Sequence, residues 1–385
     1  MPSEPENLEG LRELLDARYS LSIIGAHLVV NDVWYLDEQG ELRKATLAAP
    51  LTQPTPTTVG APQNHQMFWS GGQPHYVNGT PIEGLNNIHA DLRLGEMHYT
   101  RHLSNKPSEG FSTYTLLVEH YVTLISGPVE AKFGVTARTG AVYDVPAETS
   151  PFKVRDTFSA RAELTELNRR LADDRISIIG LGGTGAFVFD FMVKTPVHSI
   201  DAFDFDIFEV HNGFRSPGEV DFDRFGHPKT EVYRKKFEPF RHRLTFHKKR
   251  VAAGDESLFA DTTFAFVCID DGPSRAEICA MLVKLGIPFI DVGMGIENEG
   301  DRLDGLLRTT LFTPKTADQA IENVPLDAKP EEGAYRVFVQ IAELNALNAA
   351  AAVIRYKQLR GFYADEKGHF HSLISLGLCN WTGQA

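Results

Sequence analysis

From Arg175 onward, short contiguous apolar runs alternate with segments of helical period. RISIIGL, TFAFVCID and IPFIDVGM are largely apolar on successive residues, as strands buried on both faces are, and SIDAFDFD reads as a further strand. The segment after Gly183 and the stretch SRAEICAMLVKLG carry the 3.6-residue period between them. Strand–helix alternation of this kind predicts an α/β, Rossmann-like, mainly parallel sheet with helices on both faces. DRLDGLLRTTLFTP predicts an antiparallel addition to that sheet. A long helix is expected from about Arg336 to Arg360, with Leu344, Leu347, Ala351 and Ile354 facing the core and the alanine run 349–352 allowing close packing. RAELTELNRR, Arg161 to Arg170, predicts an amphipathic helix leading into the first of these strands.

The first 150 residues differ in texture and predict a smaller α+β domain, with a linker at 145–156 and a second domain over 151–385. EGLRELLDARY can open a helix. HLVVNDVWYLDEQGELRKATL alternates on both sides of DEQG and predicts a β-hairpin. Residues 50–84 are rich in Pro, Gly, Thr and Gln, with a loop at SGGQP. From Phe111 to Ser126 a helix is predicted, with Tyr114, Leu117, Val118, Tyr121 and Leu124 on one face. His98 and His102 would share a face if their segment were helical, but no third metal ligand accompanies them. His120, on the tyrosine-rich helix, reads as partly buried and hydrogen-bonded. There is no internal repeat.

Composition narrows the classes. At 385 residues, 42% apolar and 23% charged, the chain suffices for two domains with their own cores. A formal net charge of −13 argues against broad nucleic-acid or membrane-surface binding, and Lys248, Lys249 and Arg250 read as a solvated face. The three cysteines, Cys268, Cys279 and Cys379, are far apart and form no CxxC pair, so no zinc site of the four-thiolate kind is expected. A polar, acidic start and the lack of any apolar run of about 18 residues point to a protein of the cytoplasm without a membrane span.

The candidate chemistry begins at RISIIGLGGTGAF. Gly180, Gly182, Gly183 and Gly185 fit G-x-G-x-x-G, a turn that lets backbone approach phosphate at a helix start. Asp204, 19 residues past Gly185, is placed to accept ribose hydroxyls. Alone, this pattern suits a dinucleotide as well as a nucleoside triphosphate. The residues beyond Asp204 favour the triphosphate. Asp206, Asn212, Arg215 and Lys229 come in quick succession, and the two cations can neutralise charge that grows during phosphoryl or nucleotidyl transfer. Asp270 falls at the carboxyl end of the third strand, where a carboxylate can hold magnesium beside substrate phosphates.

GLGGTG, DFD, NGFR, GHPK and CIDDGPSR occur in this order, and the region from about 160 to 360 thereby resembles the ThiF/MoeB/HesA adenylyltransferases, relatives of the ubiquitin-activating enzymes. The resemblance implies that the C-terminal carboxylate of a ubiquitin-like protein attacks the α-phosphate of ATP, giving an acyl-adenylate and pyrophosphate. It implies that the four glycines wrap the nucleotide, Asp204 binds ribose and Asp206 stands nearby with a less defined role. Asn212 and Arg215 would orient and neutralise phosphates, Lys229 would stabilise charge on the transferring phosphorus, and Asp270 would coordinate magnesium. Arg275 reads equally as a ligand or as a helix arginine paired with a carboxylate. The resemblance also implies a homodimer in which Arg161, Arg169 or Arg170 reaches the partner's site.

Departures matter too. Position 271 is Asp where many relatives carry Asn, and the family's paired CxxC zinc motifs are missing, so no zinc is expected. Thr313 to Arg336, the segment matching the one that carries the acyl-accepting cysteine of ubiquitin-activating enzymes, has no cysteine. No enzyme thioester is therefore expected. Cys268 and Cys279 read as core residues, Cys379 as beyond the long helix, and Thr313 or Thr316 as weak oxygen alternatives. HLSNKPSEGFSTYTLLVEHYVTLISGPVEAKFGVTARTG resembles the uncharacterised domain that precedes some bacterial ThiF-type domains. That implies a bacterial ubiquitin-like conjugation system, one of antiviral defence, in which this domain recognises the ubiquitin-like protein or a conjugating partner. The alternatives are a sulfur-carrier or tRNA-directed relative, a catalytically inactive nucleotide-binding scaffold, and an NAD-dependent oxidoreductase.

Overall fold

The computed structural model describes residues 5–143, 150–325 and 339–384. The chain divides into two compact units, Met1–Glu166 and Leu167–Ala385. Among the described residues no helix is long and apolar enough to cross a membrane.

The first unit is an antiparallel sheet with a helix on one face. Its elements are α1 (Arg12–Asp16), β1 (Leu21–Ile24), β2 (His27–Leu36), β3 (Leu42–Pro50), β4 (Met67–Trp69), β5 (Asn86–Leu94), β6 (Met97–Ser104) and α2 (Tyr114–Phe133). The strand order is β1-β2-β3-β4-β6-β5. The expected hairpin is β2–β3, with Val30 opposite Leu47 and Leu36 opposite Leu42. Thr113 caps α2 by accepting from the Leu116 N–H, and Gly134 ends it at φ 66°. The helix therefore runs past Ser126 and through Pro128. Burial of Val129 at 0% exposure holds the extra turn in place. Tyr114, Leu117, Val118 and Tyr121 are buried as expected, and Leu124 packs at the edge of the same core.

His98 and His102 stand on β6, a strand rather than a helix. His98 pairs with Asp91 at 2.7 Å, and His102 stacks on Phe68 with ring centroids 4.2 Å apart. His120 bonds the Asn105 carboxamide at 2.8 Å. Among the described residues no group of three or more His, Cys, Asp and Glu side chains is arranged to hold a metal ion.

His27 meets Phe68 edge-on at 6.1 Å and is 2% exposed, and burial pulls its pKa from 6.5 down to about 4. Unfolded, it takes up a proton below its ordinary value; folded, it stays neutral until near pH 4. Stability rises with pH wherever the unfolded state holds more protons. The contribution is thus complete above pH 6.5 and is lost as pH falls through the window to 4, by about 3 kcal/mol at most. Thermal unfolding at pH 7.5 and 5 should show a larger acid loss for the wild type than for His27→Leu. Equal losses would refute this.

The second unit holds β7 (Arg175–Ile179), α5 (Gly183–Val193), β8 (Ser199–Phe203), α6 (Val210–Gly213), α7 (Lys229–Phe237), β9 (Leu244–His247), β10 (Phe264–Val267), α8 (Gly272–Lys284), β11 (Phe289–Glu299), β12 (Arg302–Phe312), α9 (Ala317–Ile321), α10 (Ala342–Leu359), β13 (His371–Ser375) and β14 (Asn380–Gln384). Ahead of it lie α3 (Thr157–Arg161) and α4 (Thr165–Arg169). The single helix expected over Arg161–Arg170 is thus two short ones, broken where Glu163 takes φ 56°.

Its eight-stranded sheet has the order β14-β13-β12-β11-β10-β7-β8-β9. β9, β8, β7, β10 and β11 are parallel; β12, β13 and β14 are antiparallel additions. The chain leaves β7 toward β8 and β9, then returns to lay β10 on the other side of β7. Such a reversal opens a crevice at the carboxyl ends of the strands. β7 is buried on both faces: Ile176 and Ile178 join one core with Val188 and Phe189, and Ile179 joins a second with Ile278 and Leu282.

On α10 the expected core face is wrong. Leu347 and Ile354 are 40% and 39% exposed, whereas Asn345, Asn348, Ala349, Ala352, Val353 and Tyr356 are buried with Ala351. Ala349 and Ala352 pack in the core that α5 also enters, and Asn345 and Asn348 turn to a cavity.

Candidate functional site

The crevice is a cavity of about 690 Å³ at the carboxyl ends of β7, β8 and β10. The turn from β7 to α5 supplies Gly180, Gly182 and Gly183 to its wall. Gly180 takes φ 94°, and a Cβ there would sit 2.5 Å from the Cys268 carbonyl oxygen. Gly185 does not line the cavity. It lets α5 close on the turn, since a Cβ would overlap the Gly180 carbonyl.

Asp204 follows β8 and is 7% exposed. One carboxylate oxygen accepts the Leu181 N–H at 2.7 Å and the other the Asp206 N–H at 2.8 Å. It thereby ties the glycine turn to the neighbouring strand. Burial pushes its pKa up, against the pull of the Lys229 ammonium. Lys229 is the first residue of α7, and a short antiparallel bridge, Ile207 to Pro228, brings it beside Asp206. Its Nζ lies 2.8 Å from Asp206 and 3.9 Å from Asp204.

Arg215 also lines the cavity, and its Nε is buried without a hydrogen-bond partner among the described residues. Asn212 does not line it. Asn212 is buried and accepts the Glu209 N–H at 2.8 Å, shaping the α6 turn that leads to Arg215. Asp270 is exposed within the cavity wall and has no hydrogen bond or ion pair among the described residues. Asp271 is engaged instead: it caps α8 by accepting the Ser274 N–H at 2.9 Å, and the Ser274 hydroxyl, with that N–H, holds its pKa low. Arg275 pairs with Asp291 at 3.2 Å and Arg308 binds the same carboxylate at 2.5 Å, a buried triad with one positive charge in excess.

Sequence reasoning missed several wall residues. Lys249 and Arg250, read as a solvated face, stand in the cavity wall just past β9. Arg250 lies 5.4 Å from the Phe205 ring and donates to Ser274 at 3.0 Å. Lys249 and Arg250 reach the wall because β9 pairs in parallel with β8 and ends beside it. Arg308, Asn345 and Asn348 come from β12 and α10, and no local pattern announces them.

Burial pushes the Cys268 and Cys279 thiols up, and Cys379 is exposed in the turn between β13 and β14 at φ 50°. The Thr316 hydroxyl donates to the Leu311 carbonyl, and the Thr313 hydroxyl sits 3.1 Å from it. Residues 326–336 of the cysteine-free segment lie outside the described residues. Arg161 bonds Gln63 within the first unit, Arg170 donates to the Gly361 carbonyl, and Arg169 ends α4.

Comparison with known proteins places these elements. Residues 9–157 match the model of a domain of unknown function (DUF6791). No curated protein matched the chain. Similar solved structures include PaaA, at 15% identity over 57% of this chain and 75% of that one, TM-score 0.43. MccB of E. coli with ATP is 17% identical over 57% of this chain and 65% of that one, TM-score 0.43. This chain thus spans about two thirds of MccB. The tRNA N6-threonylcarbamoyladenosine dehydratase TcdA of E. coli, in complex with AMP, is 19% identical over 53% and 92%, TM-score 0.42. A second family model begins ahead of β7 and ends past β12, spanning the glycine turn, Asp204, Lys229 and Asp270: residues 159–317 are a ThiF-family domain.

Proposed function

We propose that the second unit activates the C-terminal carboxylate of a ubiquitin-like protein by adenylation, at the expense of ATP. Membership of residues 159–317 in the ThiF family supports ATP-dependent adenylation of a substrate carboxylate. The observation that carries the reading is one cavity joining a glycine turn at a helix start to an unpaired arginine, a buried lysine and a free carboxylate.

In this reading the triphosphate lies over the start of α5, where backbone N–H groups and the helix dipole favour anions. Asp204, held by two N–H donors, accepts from ribose hydroxyls with its remaining lone pairs. A carboxylate oxygen of the substrate forms a bond to the α-phosphorus. The bond from that phosphorus to the bridging oxygen breaks, and pyrophosphate leaves with the electron pair. Arg215 and Lys229 meet the charge that builds on the phosphoryl oxygens and the leaving group. Asp270, unpaired in the wall, suits magnesium, which takes one or two carboxylates beside phosphate oxygens and would add to that neutralisation. The acyl group then passes to an acceptor without an enzyme thioester: Thr313 to Arg336 carries no cysteine, and Cys268 and Cys279 pack with the hydrophobic cores.

ATP–pyrophosphate exchange tests this, with ubiquitin-like proteins and sulfur-carrier proteins offered in parallel. Exchange that depends on a ubiquitin-like protein with an intact carboxyl terminus is expected, with no thiol-sensitive adduct. Exchange only with a sulfur carrier would redirect the substrate assignment. An adduct lost in Cys379→Ala would refute direct transfer, and tight NAD binding without any exchange would overturn the adenylation reading.

A further inference from the structure

Asn345 is a polar side chain on the buried face of an alanine-rich helix, and burying an amide costs free energy unless its donors and acceptors are used. It is 1% exposed and stands in the wall of the cavity. The Thr184 hydroxyl donates to its Oδ1 at 2.9 Å. That bond fixes the carboxamide with its NH2 group against Gly183, where Nδ2 has no partner among the described residues. Gly183 opens α5 and is kept small by this contact, since a Cβ would overlap the carboxamide. The first turn of α5 lacks a side-chain cap as well. Backbone donors and one amide donor, all without acceptors, therefore meet at the same end of an 11-residue helix.

We propose that Asn345 binds the nucleotide directly, its free N–H donating to a phosphate oxygen seated over the start of α5. The inference rests on the cavity being an ATP site and adds to it a neutral donor from α10, outside the glycine turn and the stretch matched by the ThiF model. A neutral donor holds the phosphate without adding charge, and Thr184 aims it. A phosphate oxygen would supply the acceptor that Nδ2 lacks among the described residues. A hydrogen bond to a charged group is worth about 1.5–3 kcal/mol, or roughly ten- to a hundredfold in affinity.

The test is calorimetric titration of ATP and of adenosine into the full chain and its variants. Asn345→Ala should weaken ATP by about tenfold or more and leave adenosine unchanged. Asn345→Asp keeps the shape and the Thr184 bond but replaces the donor with an acceptor, so its loss should be larger. Thr184→Val, which releases the carboxamide, should weaken ATP less, and the two losses should not add in Thr184→Val/Asn345→Ala. Unchanged ATP affinity in Asn345→Ala and Asn345→Asp overturns the proposal, as does an equal weakening of ATP and adenosine, the mark of a merely structural role. A wild type that binds no ATP overturns the nucleotide reading itself and this inference with it.

Discussion

Lys229→Ala should lower ATP–pyrophosphate exchange by about a thousandfold while the protein stays folded. The lysine is 6% exposed and faces the cavity between Asp206 and Asp204. Its removal acts twice on a bound triphosphate. The cation that meets the developing charge is gone, and two carboxylates it had offset now face the phosphates. Removing one donor from such a site commonly costs a hundred- to a thousandfold, and the uncovered repulsion places this variant at the upper end. The fold should tolerate the change because the Asp206 side chain is 48% exposed and water can solvate it. Exchange rates and a thermal unfolding curve on the same preparations check the prediction. A fall of less than tenfold, or a loss of folded protein that accounts for the fall, would count against the assigned role.

Asp174→Ala should destabilise the second unit by about 3 kcal/mol or more. Asp174 is 7% exposed just before β7. One of its oxygens accepts from the Thr263 hydroxyl at 2.7 Å and from Arg360 Nη2 at 2.8 Å. The other accepts from the Tyr356 hydroxyl at 2.6 Å and from Arg360 Nε at 2.7 Å. Alanine would strand a half-buried guanidinium and a fully buried phenol, and breaking a buried pair from one side costs about 3–5 kcal/mol. For a unit of this size that lowers Tm by very roughly 6–12 °C. Thermal or urea unfolding measures it, with Asp174→Asn expected to lose less because it keeps two acceptor lone pairs. Tyr356 and Arg360 belong to the end of α10 and Asn345 to its beginning, so a weakened nucleotide affinity should accompany the lost stability. A change below 1 kcal/mol would show that the network is solvated.

Residues close in sequence announced the elements and the phosphate turn. RISII buried on both faces, the glycine at φ 94° and the alternation about DEQG each follow from local sterics and local period. Those constraints act over a few residues and leave their mark in the order of residue types. Asp204, Arg215, Lys229 and Asp270 stand at legible positions in the sequence, and the cavity gathers all four. Asn212 shows the limit of local pattern, because its side chain spends its hydrogen bond on α6. Three further features depend on what lies across the fold. The period of α10 is equally consistent with a leucine face and an asparagine face, and only packing against α5 and β11 selects the second. Lys249 and Arg250 are wall residues because β9 ends beside β8, a pairing that no property of LTFH foretells. Thr184 and Asn345 are 161 positions apart, and Asp174 and Tyr356 are 182 apart. Chain composition near either partner carries no trace of the other, since each bond forms only after the sheet has closed the distance between them.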